Sequence, residues 1–309
     1  MDLRKFLTDG FFFMLFAVFF YVVCLVLCVE FVAPPFRPNV KYRVGSYGHL
    51  RTRIEDIKNY QDVDILFFGS SHAYRGFDTR IFQRQGYRTF NLGSSSQTPI
   101  QTRVLLKRYL DKLNPKVVVL EVYPESFMMD GVESSLDLIA NDKNDLQSVE
   151  MSLEIGSAKT YNTLLYGFAA DALGRYKRYK EPLIKGADSY VAGGFVEKNV
   201  VSAFSPTPFE QKKILCNDYQ MDAFAEIVAT LKQRGIELVL VFAPITKSYY
   251  GSYSGVEGFD SLMSSYATYY NFNEIMCLED TLNFYDYHHM NQSGVELFNQ
   301  IFIDTVFKR

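Results

Sequence analysis

Two short stretches hold the residue types that covalent chemistry needs. The first is Asp64 to His72, read D-I-L-F-F-G-S-S-H, where an apolar run turns at Gly69 and presents Ser70, Ser71 and His72. The second is Asp286-Tyr287-His288-His289, close to the C-terminal end. A serine hydroxyl is a poor nucleophile near neutral pH until a base takes its proton. A histidine oriented by a carboxylate is such a base. The D-x-x-H spacing lets Asp286 fold back onto Nδ1 of His289 while Nε2 points into a cleft. Three of the four histidines, His72, His288 and His289, lie in these two stretches. Read blandly, the first stretch is a strand ending in a polar turn, and the second is a surface loop or a metal-binding histidine pair; a metal hydrolase built on His72, His288, His289 and Asp286 is the remaining alternative.

The elements around them predict how they could meet. Asp64 to Phe68 reads as a buried strand of a parallel sheet. Small residues on a tight turn at the carboxyl end of such a strand are where open α/β sheets place their chemistry. Arg88 to Leu92 reads as a second strand, residues 99–113 as a helix closed by Asn114-Pro115, and Lys116 to Val122 as a third strand. Strand and helix alternating at this spacing predict a three-layer α/β/α sandwich around a parallel sheet, of flavodoxin-like type. Residues from about 126 to 215 break the pattern and are expected to form an insertion over the mouth of the site, with a basic helix around Arg175 to Lys180. That charge run is read as a solvated face or as a contact for anionic lipid or polymer. The alternation resumes with a helix over 218–234 stopped by Gly235, a strand over 237–242, a helix over about 256–270 and a last helix from about Ser293 to Phe307.

Before all this, Gly10 to Val29 is a run of 20 uncharged residues, mostly Phe, Val, Leu and Ala. As a helix it spans about 30 Å, the hydrocarbon thickness of a bilayer. The run ends in Val29-Glu30-Phe31-Val32-Ala33-Pro34-Pro35, a poor cleavage site, so an uncleaved anchor is favoured over a signal peptide. Arg4 and Lys5 before it argue for a cytoplasmic N-terminus and a body outside the cytoplasm, against the opposing Arg37, Lys41 and Arg43. The chain thus divides into an anchor (1–33), a linker with a lead-in helix (34–61), and an α/β domain (62–309).

Composition bounds the rest. The net charge of −3 gives no electrostatic case for nucleic acid. Trp is absent, while 22 Tyr and 27 Phe supply core and cleft aromatics. Of the four cysteines, Cys24 and Cys28 fall in the apolar run; Cys216 and Cys277 either pair outside the cytoplasm or remain thiols. No C-x-x-C pair is present, and no second carboxylate cluster accompanies the histidines, so neither metal nor cofactor is expected.

From about residue 62 onward the chain resembles an SGNH/GDSL-type hydrolase. Gly69-Ser70-Ser71-His72 matches the first family block, with Ser71 in the nucleophile's place. Gly93, in Asn91-Leu92-Gly93, matches the second block, whose glycine gives a backbone N–H to the oxyanion; Asp286 and His289 match the last. The third block should bring an Asn after the third strand, yet Glu121-Val122-Tyr123-Pro124-Glu125 stands there. With its anchor and inserted middle the chain is more similar to membrane-tethered members that decorate cell-surface polymers, such as the teichoic-acid D-alanylation and exopolysaccharide O-acetylation proteins. The resemblance implies Ser71, Asp286 and His289 as catalytic residues and the N–H groups of Ser71 and Gly93 as the oxyanion hole. It implies acyl transfer to an envelope polymer beside a membrane-bound O-acyltransferase, or plain ester hydrolysis. His72, Tyr123 and His288 are expected to line the substrate side, and Ser70 to point into the fold. The alternative is a non-catalytic scaffold partner, which the missing Asn favours and the intact Ser71, Asp286 and His289 oppose.

Overall fold

The computed structural model describes residues 2–200 and 207–308. Helix α1 (Leu3–Phe31) is 29 residues long and apolar enough to cross a membrane. Phe11, Phe12, Phe13 and Phe16 are exposed on it, and only Leu25 is buried. A helix with no polar face has none to offer water. Its C-terminal third meets the body: Tyr21 donates to Asn162 Oδ1 at 2.6 Å, and Glu30 accepts from the Tyr166 hydroxyl at 2.7 Å.

After a helical turn at Pro34–Phe36, helix α2 (Leu50–Asp56) leads into the alternating body. Strand β1 (Ile65–Phe68), helices α3 (Ser71–Gly76) and α4 (Thr79–Arg84), strand β2 (Thr89–Asn91), helix α5 (Pro99–Leu113) and strand β3 (Val117–Glu121) follow. Helix α5 opens on a capping box of Thr98 and Gln101 with Pro99 at its first position, so its start is written locally. Next come α6 (Pro124–Met128), α7 (Val132–Asn141), α8 (Leu146–Ile155) and α9 (Ala158–Ala172), then an antiparallel meander of β4 (Ile184–Lys185), β5 (Asp188–Val191) and β6 (Phe195–Lys198). Strand β7 (Lys212–Lys213), α10 (Asp218–Gln233), β8 (Glu237–Phe242), α11 (Lys247–Tyr250), β9 (Tyr253–Ser254), α12 (Val256–Tyr266) and β10 (Thr268–Asn271) come next. The short α13 (Phe272–Ile275) and α14 (Asp280–Asn283) precede the last helix, α15 (Gln292–Val306).

The central sheet has five strands in the order β10-β8-β3-β1-β2, all parallel. Counted along the chain this is the order 2-1-3-4-5, the doubly wound arrangement of flavodoxin-like folds. Its switch point lies between β1 and β3, at whose carboxyl ends stand Ser71 and Glu121. Alternate strand residues feed two cores. Leu66, Phe68, Val118, Leu120 and Leu240 face α5 and α10, while Ile65, Phe67, Val119 and Val241 face α3, α4 and α15. Burial on both faces is why these strands read as unbroken apolar runs.

Three local expectations are corrected. The helix over 256–270 stops at Tyr266; Ala267 is extended, and Thr268–Asn271 forms the edge strand β10, whose β-branched and aromatic residues suit a half-buried strand. The basic helix around 175–180 is a series of turns after Gly174 at φ +64°, and Arg175 pairs with Glu30 at 3.0 Å. The insertion divides: α7–α9 pack beside the sheet against α1, α2 and α5, and the meander alone stands over the site. Cys216 and Cys277 are unpaired thiols.

Candidate active site

Strand β1 ends at Phe68, and Gly69 turns the chain with φ +136°. A Cβ at Gly69 would lie 2.7 Å from the Cβ of Glu121, so only glycine lets β1 and β3 approach this closely here. Ser70 caps α3, its Oγ accepting from the His72 N–H at 3.3 Å. Ser71 is therefore the first residue of α3, with an N–H that has no intrahelical acceptor. Ser70 points inward as expected, 3.1 Å from Glu121 Oε2 and 3.0 Å from His72 Nδ1.

The last loop delivers its histidine to the same edge. Asp286 Oδ1 accepts the backbone N–H groups of His288 at 2.9 Å and His289 at 2.7 Å, which folds the D-x-x-H segment into a tight turn. Its other oxygen lies 2.8 Å from His289 Nδ1, and His289 Nε2 lies 2.7 Å from Ser71 Oγ. Tyr285 stacks on the His289 ring at 5.5 Å, fixing its plane. Burial would raise the Asp286 pKa, but the bond from His289 and the nearby histidines hold it down at about 2. Burial lowers the pKa of His289, and Asp286 opposes that shift. With Asp286 ionised, Nδ1 carries the proton donated to it and Nε2 is free to accept the Ser71 O–H. The arrangement can take a proton from Ser71 and stabilise the imidazolium that results.

Other expected residues fall elsewhere. Gly93 lies next to α3, but its N–H donates to Asn91 Oδ1 at 3.0 Å and so is not free for an oxyanion. The cause is Asn91, fully buried at the end of β2, which also donates to Ala73 O at 2.8 Å and staples the loop to α3. A Cβ at Gly93 would lie 2.9 Å from that of Ala73, so the glycine serves close packing. His72 does not line the substrate side; it is buried between Tyr123, 4.2 Å away, and the His289 ring, 5.0 Å away. Tyr123 is buried too, its hydroxyl 3.0 Å from that of Tyr253. His288 does border the open cleft, and burial holds its pKa down at about 3.

That cleft, of about 490 Å³, is bordered by Ser71, Asp286, His288 and His289 and by residues the sequence did not single out: Ser95, Ser96, Arg75, Lys185, Asp188, Lys198 and Tyr285. Arg75 is four residues after Ser71, on the same helical face, and could have been found from that spacing. The meander residues carry no such signal. Glu121 is the last residue of β3, next to the segment where the resemblance looks for an Asn. It is buried without an ion-pair partner among the described residues, and burial pushes its carboxyl up to about 8.

No family model and no curated protein matches the chain. Among solved structures it is similar to a Bacteroides fragilis protein whose description proposes an acylhydrolase, at 10% identity over 85% of this chain and 98% of that one, with a TM-score of 0.43. It is also similar to a GDSL-like lipase from Bacteroides thetaiotaomicron, at 11% identity over 85% of this chain and 99% of that one, with a TM-score of 0.41.

Proposed function

We propose that this chain is a membrane-anchored acyl-ester enzyme of SGNH/GDSL type. The observation that carries the reading is the file Ser71 Oγ, His289 Nε2, His289 Nδ1, Asp286 Oδ2, with links of 2.7 and 2.8 Å, standing on an open cleft at the switch point of a parallel sheet. Ser71 attacks the acyl carbonyl as His289 takes its proton. The tetrahedral oxyanion meets the Ser71 N–H and, since Gly93 is engaged elsewhere, the hydroxyls of Ser95 and Ser96 are the side-chain donors at hand. Collapse breaks the ester bond as His289 returns the proton to the leaving oxygen, leaving an acyl-Ser71. A sugar hydroxyl or water then attacks, His289 again serving as base, and the acyl group leaves as a new ester or as an acid.

Anchoring by α1 would hold the site at a membrane surface, outside the cytoplasm, where its acceptor is a cell-envelope polymer and its donor a membrane-bound O-acyltransferase carrying acetyl or a similar group. Neither nucleic acid nor a cofactor enters this scheme. A non-catalytic scaffold is the second reading, favoured by the engaged Gly93 N–H and by the missing Asn. A fluorophosphonate ester that phosphonylates activated serines separates the two. The full chain in detergent should be labelled at Ser71, with labelling lost in His289→Ala. A chain that is folded and unlabelled would sink the enzymatic reading. Protease added to spheroplasts should digest the body; complete protection would overturn the proposed orientation.

A further inference from the structure

Three imidazoles pack together beside Ser71. The ring centres of His72 lie 5.0 Å from those of both His288 and His289, which are 3.8 Å from each other. One ring nitrogen of each lies within 4.8 Å of one from both others. His72 Nε2 and His288 Nδ1 are buried and have no hydrogen-bond partner among the described residues. Buried polar atoms are normally paired, and two unpaired nitrogens on neighbouring rings need an occupant.

The far sides of two of these rings are held as metal-binding imidazoles are held. His289 Nδ1 is 2.8 Å from Asp286 Oδ2. His72 Nδ1 is 3.0 Å from Ser70 Oγ, itself 3.1 Å from Glu121 Oε2. The third ring has no such hold: His288 Nε2 is 3.9 Å from Asp286 Oδ1, beyond hydrogen-bond distance. A carboxylate behind an imidazole, direct or relayed by a hydroxyl, keeps the proton on that side and leaves the other nitrogen for an ion. Glu121 adds a separate sign: its carboxyl is buried, with Oε1 unpartnered and no cation in contact among the described residues.

We propose that His72, His288 and His289 form a binding site for a zinc-class divalent ion, held through His72 Nε2, His288 Nδ1 and His289 Nε2 with water as a fourth ligand. Zn–N bonds of about 2.1 Å in a tetrahedron set the nitrogens about 3.4 Å apart, so each ring moves inward by less than about 1 Å. The ion takes the lone pair of His289 Nε2 that otherwise accepts the Ser71 proton. It therefore blocks the triad reversibly. Only coordination bonds form, the imidazoles bind as neutral ligands, and His72 keeps its Nδ1 proton on Ser70 Oγ. The site stands apart from the proposed activity; only the block rests on that reading.

The full chain in detergent, stripped with EDTA, is titrated with Zn²⁺ by calorimetry and with Co²⁺ by visible absorption. One ion per chain with tetrahedral Co²⁺ bands is expected, together with a rise in Tm. His72→Phe and His288→Phe should each abolish that binding, and Ser70→Ala should weaken it about 10- to 100-fold. Circular dichroism checks that each variant is folded, and His288, bordering the cleft, is the safer of the two. No bound ion overturns the site, as does binding unchanged in both variants, which would place the ion on cysteines or elsewhere. In an ester-hydrolysis assay Zn²⁺ should suppress turnover at least tenfold and EDTA should restore it. An ion that binds while hydrolysis continues overturns the block. A chain that binds the ion but neither hydrolyses an ester nor is labelled at Ser71 by the fluorophosphonate supports the site and overturns the proposed function.

Discussion

Arg75 clasps Asp188 with both terminal nitrogens, Nη1 to Oδ1 at 3.0 Å and Nη2 to Oδ2 at 2.9 Å. Arg75 lies one turn beyond Ser71 on α3, and Asp188 opens strand β5 of the meander, so one bidentate pair ties the insertion to the helix that carries Ser71. Both side chains are largely shielded, at 12% and 18% exposure. Lys198 also reaches Asp188, at 2.9 Å.

Cutting that tie should loosen the meander before it harms the triad. Arg75→Ala leaves Asp188 with Lys198 alone and should cost about 1–3 kcal/mol in stability. KM for a bulky ester should rise more than kcat falls, since the meander borders the cleft and makes no hydrogen bond to Ser71 Oγ or the His289 ring among the described residues. Steady-state kinetics on small and large esters, beside thermal melts, check this. A fall in kcat alone on the smallest ester would show instead that Arg75 acts at the reacting atoms.

Asp286 is expected to act through the tautomer of His289. Asp286→Asn keeps the shape of the turn but offers Nδ1 an amide, which permits the proton to sit on Nε2, where it cannot accept from Ser71. The loss in kcat should reach about 10³–10⁴. Ser71→Ala and His289→Ala should each remove most of the activity, and the double variant little more, because the residues work as a unit. Additive losses in a double-mutant cycle would count against a shared step.

Acid should weaken the fold through its histidines. Burial holds His288 at about 3 and His49 at about 4, and lowers His72 and His289 as well. Each is neutral in the folded chain at a pH where the unfolded chain, at the ordinary value, already binds a proton. The unfolded state therefore takes up more protons below about pH 6.5, and stability falls as pH falls from there toward the folded values. His288 alone should cost about 2 kcal/mol at pH 5. Asp286, depressed to about 2, adds loss of the same sign at lower pH. Glu121, pushed up to about 8, and Asp137, pushed up to about 7, act with the opposite sign, since each holds a proton in the folded chain that the unfolded chain has lost, and so they add stability as pH falls through those values. In thermal melts the loss between pH 6.5 and 4 should therefore be smaller in His288→Gln than in the parent chain, and that difference isolates the histidine. Activity should stay near its plateau down to below pH 6.5, because a base with a lowered pKa remains neutral there.

How legible these features are in sequence depends on the range of the forces involved. Helix α5 can be read to the residue, because Thr98, Pro99, Gln101 and Asn114 write its ends within a few positions. The buried strands can be read because both faces are apolar. The meeting of Ser71 with the last loop follows from topology alone, since a parallel sheet puts every strand's carboxyl end on one edge. Strand β10 is missed because Tyr269 and Tyr270 continue the apolar spacing of α12, and only the neighbouring β8 turns them into a strand. His72 and Tyr123 are misplaced because their burial depends on Tyr253 and the last loop, 130 and more than 200 residues away. Gly93 has the right neighbours for an oxyanion donor, but whether its N–H is free turns on the rotamer of Asn91.

The oxyanion hole is therefore where the two readings of function divide most sharply. Ser71 offers one N–H. Gly93 donates to Asn91 Oδ1, and no Asn stands in Val122-Tyr123-Pro124-Glu125 directly after β3. If catalysis occurs, the missing donor comes from Ser95 or Ser96, which border the cleft beside Ser71. Ser96 adopts a left-handed φ of +50°, a conformation a non-glycine residue holds only when its surroundings dictate it. Ser95→Ala and Ser96→Ala should be measured singly. The true donor should cost about 10²–10³ in kcat with little change in KM, because its bond strengthens only as charge builds on the oxygen. Asn91→Ala is the counter-test. It frees the Gly93 N–H but unpins the loop from α3, so a gain in kcat would mean that Gly93 is a latent donor. Loss of both stability and activity would mean that Asn91 holds the working loop. If neither serine matters and Asn91→Ala is silent in turnover, the hole has no second donor and the scaffold reading prevails.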